Sequence, residues 1–180
     1  MNTPNNKRRR ESVDRIEKVF LNLIQKNNLD EINVSDICKK AEINRTTFYA
    51  NYDDIHALAD SIKLKLENDM KNIVYNDELT KGYNSNDYLK LFRYIKDNQI
   101  FFKTYFKLGY DNEYKIFIYD QRLALEHFDN RFIEYHMEFF RAGLNKIIKM
   151  WLDNGCKESP EDMNEIICSE YRGRKSYITF

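Results

Sequence analysis

"SDICKKAEINRTTFYANYDD", residues 35–54, holds the signals of two short helices and a sharp turn within twenty residues. Asn33 stands three positions before Asp36, the spacing of an N-cap whose side chain reaches the third amide of a helix. A helix is therefore expected from there to about Ala41. "EIN" interrupts it, Asn44 caps a further helix over Arg45 to about Asn51, and Asp54 caps another that starts at Ile55. Two helices joined by three residues must cross steeply. Ile37, Cys38, Ala41, Ile43 and Phe48 supply the small or apolar inner face that such a crossing needs. This is the layout of a helix-turn-helix, in which the second helix turns its outer face to a DNA major groove.

That outer face would carry Arg45, Thr46, Thr47, Asn51 and the edge of Tyr49. The residue types suit the task. Arg bonds a guanine edge or a phosphate, Thr offers a hydroxyl and a methyl, and a Tyr hydroxyl suits a phosphate oxygen. The plain alternative is a solvated polar helix in a helical protein. "KRRR" at residues 7–10 divides in the same way between a solvated charge run and an arm that reaches phosphate or a minor groove.

Working outward, the chain has 180 residues with 42% hydrophobic and 14% aromatic side chains, enough for a real core. Two Pro and five Gly, with no sustained period-two alternation, point to an all-α fold. Net charge is zero, yet residues 1–52 hold ten Lys/Arg against seven Asp/Glu and carry +3, leaving −3 on the rest. A basic head on an acidic body is a mild partner signal. Cys38, Cys156 and Cys168 are odd in number and far apart, which fits a reduced, cytoplasmic chain without disulfides or a metal site. His127 and His136 are nine apart, a spacing no ligand motif uses. No window approaches eighteen apolar residues, so no membrane span or membrane partner is expected. Gly-rich phosphate loops, nucleophile elbows and Ser/His/Asp groupings are missing too. The expectation is a non-enzyme with no cofactor and no catalytic residues.

Val13, Ile16, Phe20, Leu23 and Ile24 give a first amphipathic helix over about Arg9 to Asn27, behind a flexible basic arm of residues 1–8. Ile55, Leu58, Ala59, Ile62, Leu66 and Ile73 stripe the fourth helix. Further helices are expected at about 86–98, 99–108, 112–130 and 131–154, the last stopping at Gly155. "SPED" opens a final helix with Ser159 as N-cap and Pro160 at N1. Residues 131–154 are apolar over a wide arc, with Phe140, Leu144, Ile148, Trp151 and Leu152 in one stripe and Phe139, Gly143, Ile147 and Met150 in the next. Such a helix is buried on two sides, either inside a monomer or against another subunit. The aromatic-rich middle, with Phe92, Phe102, Tyr105, Phe106 and Phe117, is either core or the lining of an effector pocket.

Residues 13–66 resemble the DNA-binding domain of the tetracycline-repressor (TetR) family of transcriptional regulators. "INVSDICKKAEINRTTFYANYDDIHAL" carries the match and "TTFYANY" is its most specific part. "FFRAGLNKIIKMWLDNGCKESPEDMNEII" is similar to the closing helix pair of one branch of that family. The resemblance implies a DNA-binding domain over residues 9–53 and an effector-binding and dimerisation domain over 54–180. It implies a ligand-responsive homodimeric repressor of a palindromic double-stranded operator, with a small-molecule effector. Arg45, Thr46 and Thr47 would face bases or backbone, and Ser35, Tyr49 and Tyr52 phosphate. Phe139, Gly143, Ile147, Met150, Met163 and Ile167 would join two copies in a four-helix interface. Two positions depart from the pattern. Glu42 stands where the turn usually has Gly, and Ile55 where Lys is common, which removes one phosphate contact. A protein of this fold that pairs with another regulator and reads DNA weakly is therefore the alternative.

Overall fold

The computed structural model describes residues 4–75, 88–113, 125 and 128–171. Among the described residues the chain is all-helical: α1 (Pro4–Ile24), α2 (Val34–Ala41), α3 (Arg45–Tyr49), α4 (Ile55–Tyr75), α5 (Leu89–Asp97), α6 (Gln99–Lys107), α7 (Ile133–Asp153) and α8 (Pro160–Tyr171). Short 3-10 turns lie at Leu29–Glu31 and Tyr110–Asn112. The helix expected over 112–130 falls mostly outside the described residues, as do Phe117 and His127.

The first helix starts earlier than its apolar stripe does. Pro4 heads α1, so the expected irregular arm of residues 1–8 is helical from Pro4 onward. A Pro at the first helical position has no amide to lose there, and Lys and Arg are good helix formers.

The chain divides into two compact units. The first comprises Met1–Asn68 and Ile100–Tyr110, the second Asp69–Gln99 and Asp111–Phe180. In the first unit, Ile16, Phe20 and Ile24 recur every fourth residue along α1 and meet Ile37 and Cys38 of α2, Phe48 of α3, and Ile55, Leu58, Ala59 and Ile62 of α4. The sequence reading divides the chain at residue 54, whereas the packing keeps α4 as far as Asn68 with α1–α3. The reason is that α4's apolar stripe is one wall of this core.

Helix α6 belongs to the same unit. Gln25 donates to the Thr104 hydroxyl (2.8 Å), Lys107 to the Asn27 carbonyl (3.0 Å), and Tyr105 to a Glu67 carboxylate oxygen (3.0 Å). The Lys65–Glu17 ion pair (3.0 Å) ties α4 to α1.

In the second unit α5 packs on α8. Trp151 of α7 stands edge-on to Phe92 of α5, with centroids 5.6 Å apart, and its indole N–H donates to the Glu158 carbonyl (3.2 Å). Ile95, Ile148, Leu152, Met163 and Ile167 are also buried. The corner between α7 and α8 closes as the sequence suggests. Gly155 takes φ 74°, its N–H bonds the Leu152 carbonyl, and the Cys156 N–H bonds that of Trp151 (2.8 Å). Ser159 and Asp162 then cap α8 reciprocally: the Ser hydroxyl oxygen accepts the Asp162 N–H (3.0 Å) and an Asp162 oxygen accepts the Ser159 N–H (2.9 Å).

Candidate nucleic-acid interface

Three local devices set the direction of α3. At the start of α2, the Asn33 side chain accepts the Asp36 N–H (2.9 Å). At its end Glu42 sits in the left-handed region (φ 53°, ψ 50°), and the Ile43 N–H reaches back to the Cys38 carbonyl (3.0 Å). The turn thus demands positive φ although the residue is not Gly, a strain of about 1 kcal/mol. Asn44 then caps α3, its Oδ1 accepting both the N–H (2.7 Å) and the hydroxyl (2.8 Å) of Thr47. Asp54 caps α4 through the Ala57 N–H (2.7 Å). Phe48, fully buried, anchors α3 from below.

The outer face that results is narrower than expected. Arg45, Thr46 and Tyr49 are exposed, Tyr49 to 52% with its ring edge-on to Phe48. The Arg45 guanidinium rests on the Ser35 hydroxyl, which joins the two residues into one exposed polar site. Lys39 and Lys40 lie exposed on the last turn of α2, and Lys7 to Arg10 on the first turns of α1. Thr47 is half-buried and already donates its hydroxyl to the cap.

Tyr52 is a correction. It is 8% exposed and its ring joins the core beside Phe48. Burial, with the Glu17 charge adding to it, pushes its hydroxyl up to about 12, and Ser61 and Glu17 are its hydrogen-bond partners. The side chain points inward because the segment after α3 must close the core before α4 begins, which leaves little of it on the surface. Asn51 is also engaged internally. Its Oδ1 accepts from Arg9 Nε (2.8 Å) and its Nδ2 donates to the Thr47 carbonyl (2.8 Å). Sequence reasoning missed the Arg9 contact, since no local signal links residues 42 apart.

Ile55 explains its own departure: it is buried in the core of the first unit, where a Lys would have to be desolvated. Cys38 is buried under α3, and that burial raises its thiol, so it stays protonated and unreactive at neutral pH.

In the second unit, the expected joining residues split into two sets. Phe139 (68% exposed), Met150 and Gly143 face outward on α7, a Cβ on Gly143 would meet nothing within 4 Å, and Ile147 is half-buried. Met163 and Ile167 are corrected: both are buried inside this unit, because α8 turns them toward its own core and leaves Ile166 outside. Phe132 and Tyr135 extend the outward apolar row of α7 and were not anticipated. The rings expected to line one pocket are divided. Phe92 is buried in the second unit against Trp151, while Phe102, Tyr105 and the half-buried Phe106 belong to the first. Among the described residues, no group of three His, Cys, Asp or Glu side chains is placed to hold a metal ion. No described helix is long and apolar enough to cross a membrane.

Residues 85–169 match the family model of the TetR-type transcriptional regulator C-terminal region, spanning α5 to α8. That match covers a little under half of the 180 residues and likens this part of the chain to the C-terminal region of such regulators. Over 99 residues the chain is 34% identical to the HTH-type dhaKLM operon transcriptional activator DhaS of Lactococcus lactis, an alignment covering 55% of this chain and 51% of DhaS. The chain thus spans about half the length of that curated relative. The fold is similar to that of a TetR transcriptional regulator from Streptococcus agalactiae, with a TM-score of 0.63 and 21% identity over 92% of this chain and 96% of the other.

Proposed function

We propose that the chain binds double-stranded operator DNA as a homodimer in the cytoplasm and regulates transcription from it. The observation that carries this reading is the exposed Arg45–Thr46–Tyr49 face of α3, held in place by the Asn44 cap, the left-handed Glu42 and the buried Phe48. With Tyr52 and Asn51 turned inward, base contacts fall to Arg45 and Thr46 and phosphate contacts to Tyr49, Ser35 and the exposed Lys7, Arg8, Arg10, Lys39 and Lys40. The row Phe132, Tyr135, Phe139 and Met150, open at Gly143, supports pairing of two copies along α7. Two recognition helices would then meet half-sites one helical turn apart, about 34–36 Å. A small-molecule effector would act by preferring one spacing of the two helices over another.

Repression is the first reading, through occupancy of an operator that overlaps a promoter. Activation is the second, and the likeness to DhaS, named as an activator, favours it. The position of the operator relative to the promoter decides between them.

The test is a gel shift on the DNA flanking the protein's own gene and on duplexes selected from a random pool, at two salt concentrations, with Arg45→Ala alongside. A palindromic site is expected. Arg45→Ala should weaken it about 10- to 100-fold, the range of one bidentate base contact. Binding that ignores both salt and Arg45→Ala would sink the proposal and leave a module that acts by pairing with another regulator.

A further inference from the structure

We propose that Arg9 is a positioning residue for α3, acting through Asn51, and not a phosphate-binding cation. The inference rests on the DNA-reading role of α3 proposed above.

Helix α3 has five residues, little more than one turn, so its own backbone bonds do little to hold it straight. Its first end is fixed by Asn44. Its far end is fixed by Asn51, two residues past the last helical position, through two bonds in opposite directions. The Asn51 Nδ2 closes onto the Thr47 carbonyl (2.8 Å), and the Oδ1 accepts from Arg9 Nε (2.8 Å) on the start of α1. A single amide therefore couples the recognition helix to another helix of the same unit. Base readout needs donors and acceptors within a few tenths of an ångström of hydrogen-bonding geometry. Phe48 and Tyr52 hold the inner side of the segment, and the Arg9–Asn51 bridge adds the tie on its outer side that such precision needs.

The nitrogen that makes the contact allows a clean test. Gln carries its amide nitrogen at the same distance along the side chain as Arg carries Nε. Arg9→Gln thus keeps the N–H donor and removes the charge, while Arg9→Ala removes both. Arg9 is exposed, so neither change should disturb folding, which circular dichroism checks.

The experiment uses the full chain and measures affinity for a duplex selected from a random pool by the wild type. Affinity for poly(dI-dC) and the salt dependence of both are measured beside it. Hydrogen exchange of the Ala50–Tyr52 amides is followed without DNA. The expected result is that Arg9→Ala lowers the specific-to-nonspecific ratio about tenfold, the scale of one lost hydrogen bond to a charged group. It should also speed exchange at Ala50–Tyr52, with Arg9→Gln restoring both to within about threefold of wild type. Equal losses in the Gln and Ala variants, with the salt slope reduced by about 2 for the two copies in a dimer, would make Arg9 a phosphate cation and overturn the proposal. Variants indistinguishable from wild type overturn it as well. A wild type that enriches no sequence from the pool overturns the DNA-reading role itself, and this role with it.

Discussion

Lys149→Met should destabilise the protein more than Asp111→Asn does, although the two residues form one ion pair. Asp111, on the 3-10 turn after α6, has a side chain 5% exposed, and Lys149 of α7 is 36% exposed, with Nζ and Oδ2 2.7 Å apart. Among the described residues the other carboxylate oxygen of Asp111 has no hydrogen-bond partner. At 2.7 Å the gross attraction is about 6 kcal/mol for an effective dielectric of 20 and about 1.5 kcal/mol for that of water. Removing Lys149 strands a buried carboxylate, a change that costs about 3–5 kcal/mol where both partners are buried. The partial exposure of Lys149, and the Arg141 guanidinium bonded to the Asp111 carbonyl (2.6 Å), bring this below that range, to about 2–3 kcal/mol. Asp111→Asn instead leaves a lysine that water can reach, so about 1 kcal/mol is expected. The double variant should resemble Asp111→Asn alone. Urea unfolding at pH 7 and fixed protein concentration measures all three, the fixed concentration removing the effect of any self-association. Equal costs for the two single variants, or a double variant equal to their sum, would refute the account of a stranded charge.

Phe139→Glu, on the exposed row of α7, should shift the protein toward monomer in light scattering while leaving its helix content intact; an unchanged dimer would remove α7 from the interface. Glu42→Gly should raise stability by about 0.5–1 kcal/mol in thermal melts, because Gly adopts the left-handed turn without strain; a loss would mean that the Glu42 side chain has a role of its own. The Ser159 hydroxyl on Asp162, followed by the Ser159 backbone N–H, holds that carboxyl below its ordinary value. A lowered folded value means that the contribution is present above the unfolded pKa, about 4, and is lost as pH falls through the folded value. The gap in melting temperature between wild type and Ser159→Ala should therefore narrow below about pH 4; a gap that stays constant into acid would place the cap's effect elsewhere.

The parts of this fold legible in the sequence are those decided within four residues. Asn33, Asn44, Asp54 and Ser159 each cap the helix assigned to them, since a cap is a bond between a side chain and a nearby amide. Glu42 and Gly155 take the backbone conformation that their turns demand for the same reason. The second quoted stretch, residues 139–167, lies within the span that the family model matches. What failed to show was the rotational phase of helices and their long-range partners. Met163, Ile166 and Ile167 crowd one arc of α8, and which of them faces inward depends on α5, some seventy residues earlier. Tyr52 reads as an exposed polar aromatic until Phe48 is placed beside it. The bonds from Arg9 to Asn51 and from Gln25 to Thr104 join residues 42 and 79 apart, and no periodicity encodes such pairs.

The inclusion of Ile100–Tyr110 in the first unit bears on how the chain reaches its native state during synthesis. The helices that surround Phe48 are all made by Tyr75, yet the wall supplied by α6 emerges from the ribosome only after α5. Between those moments Gln25 lacks Thr104 and Glu67 lacks Tyr105, and the apolar side chains of the first unit stand partly uncovered. A fragment cut at Asn68 would be frozen at that stage. A piece that holds the whole first unit therefore extends to Tyr110 and carries α5 as an insertion.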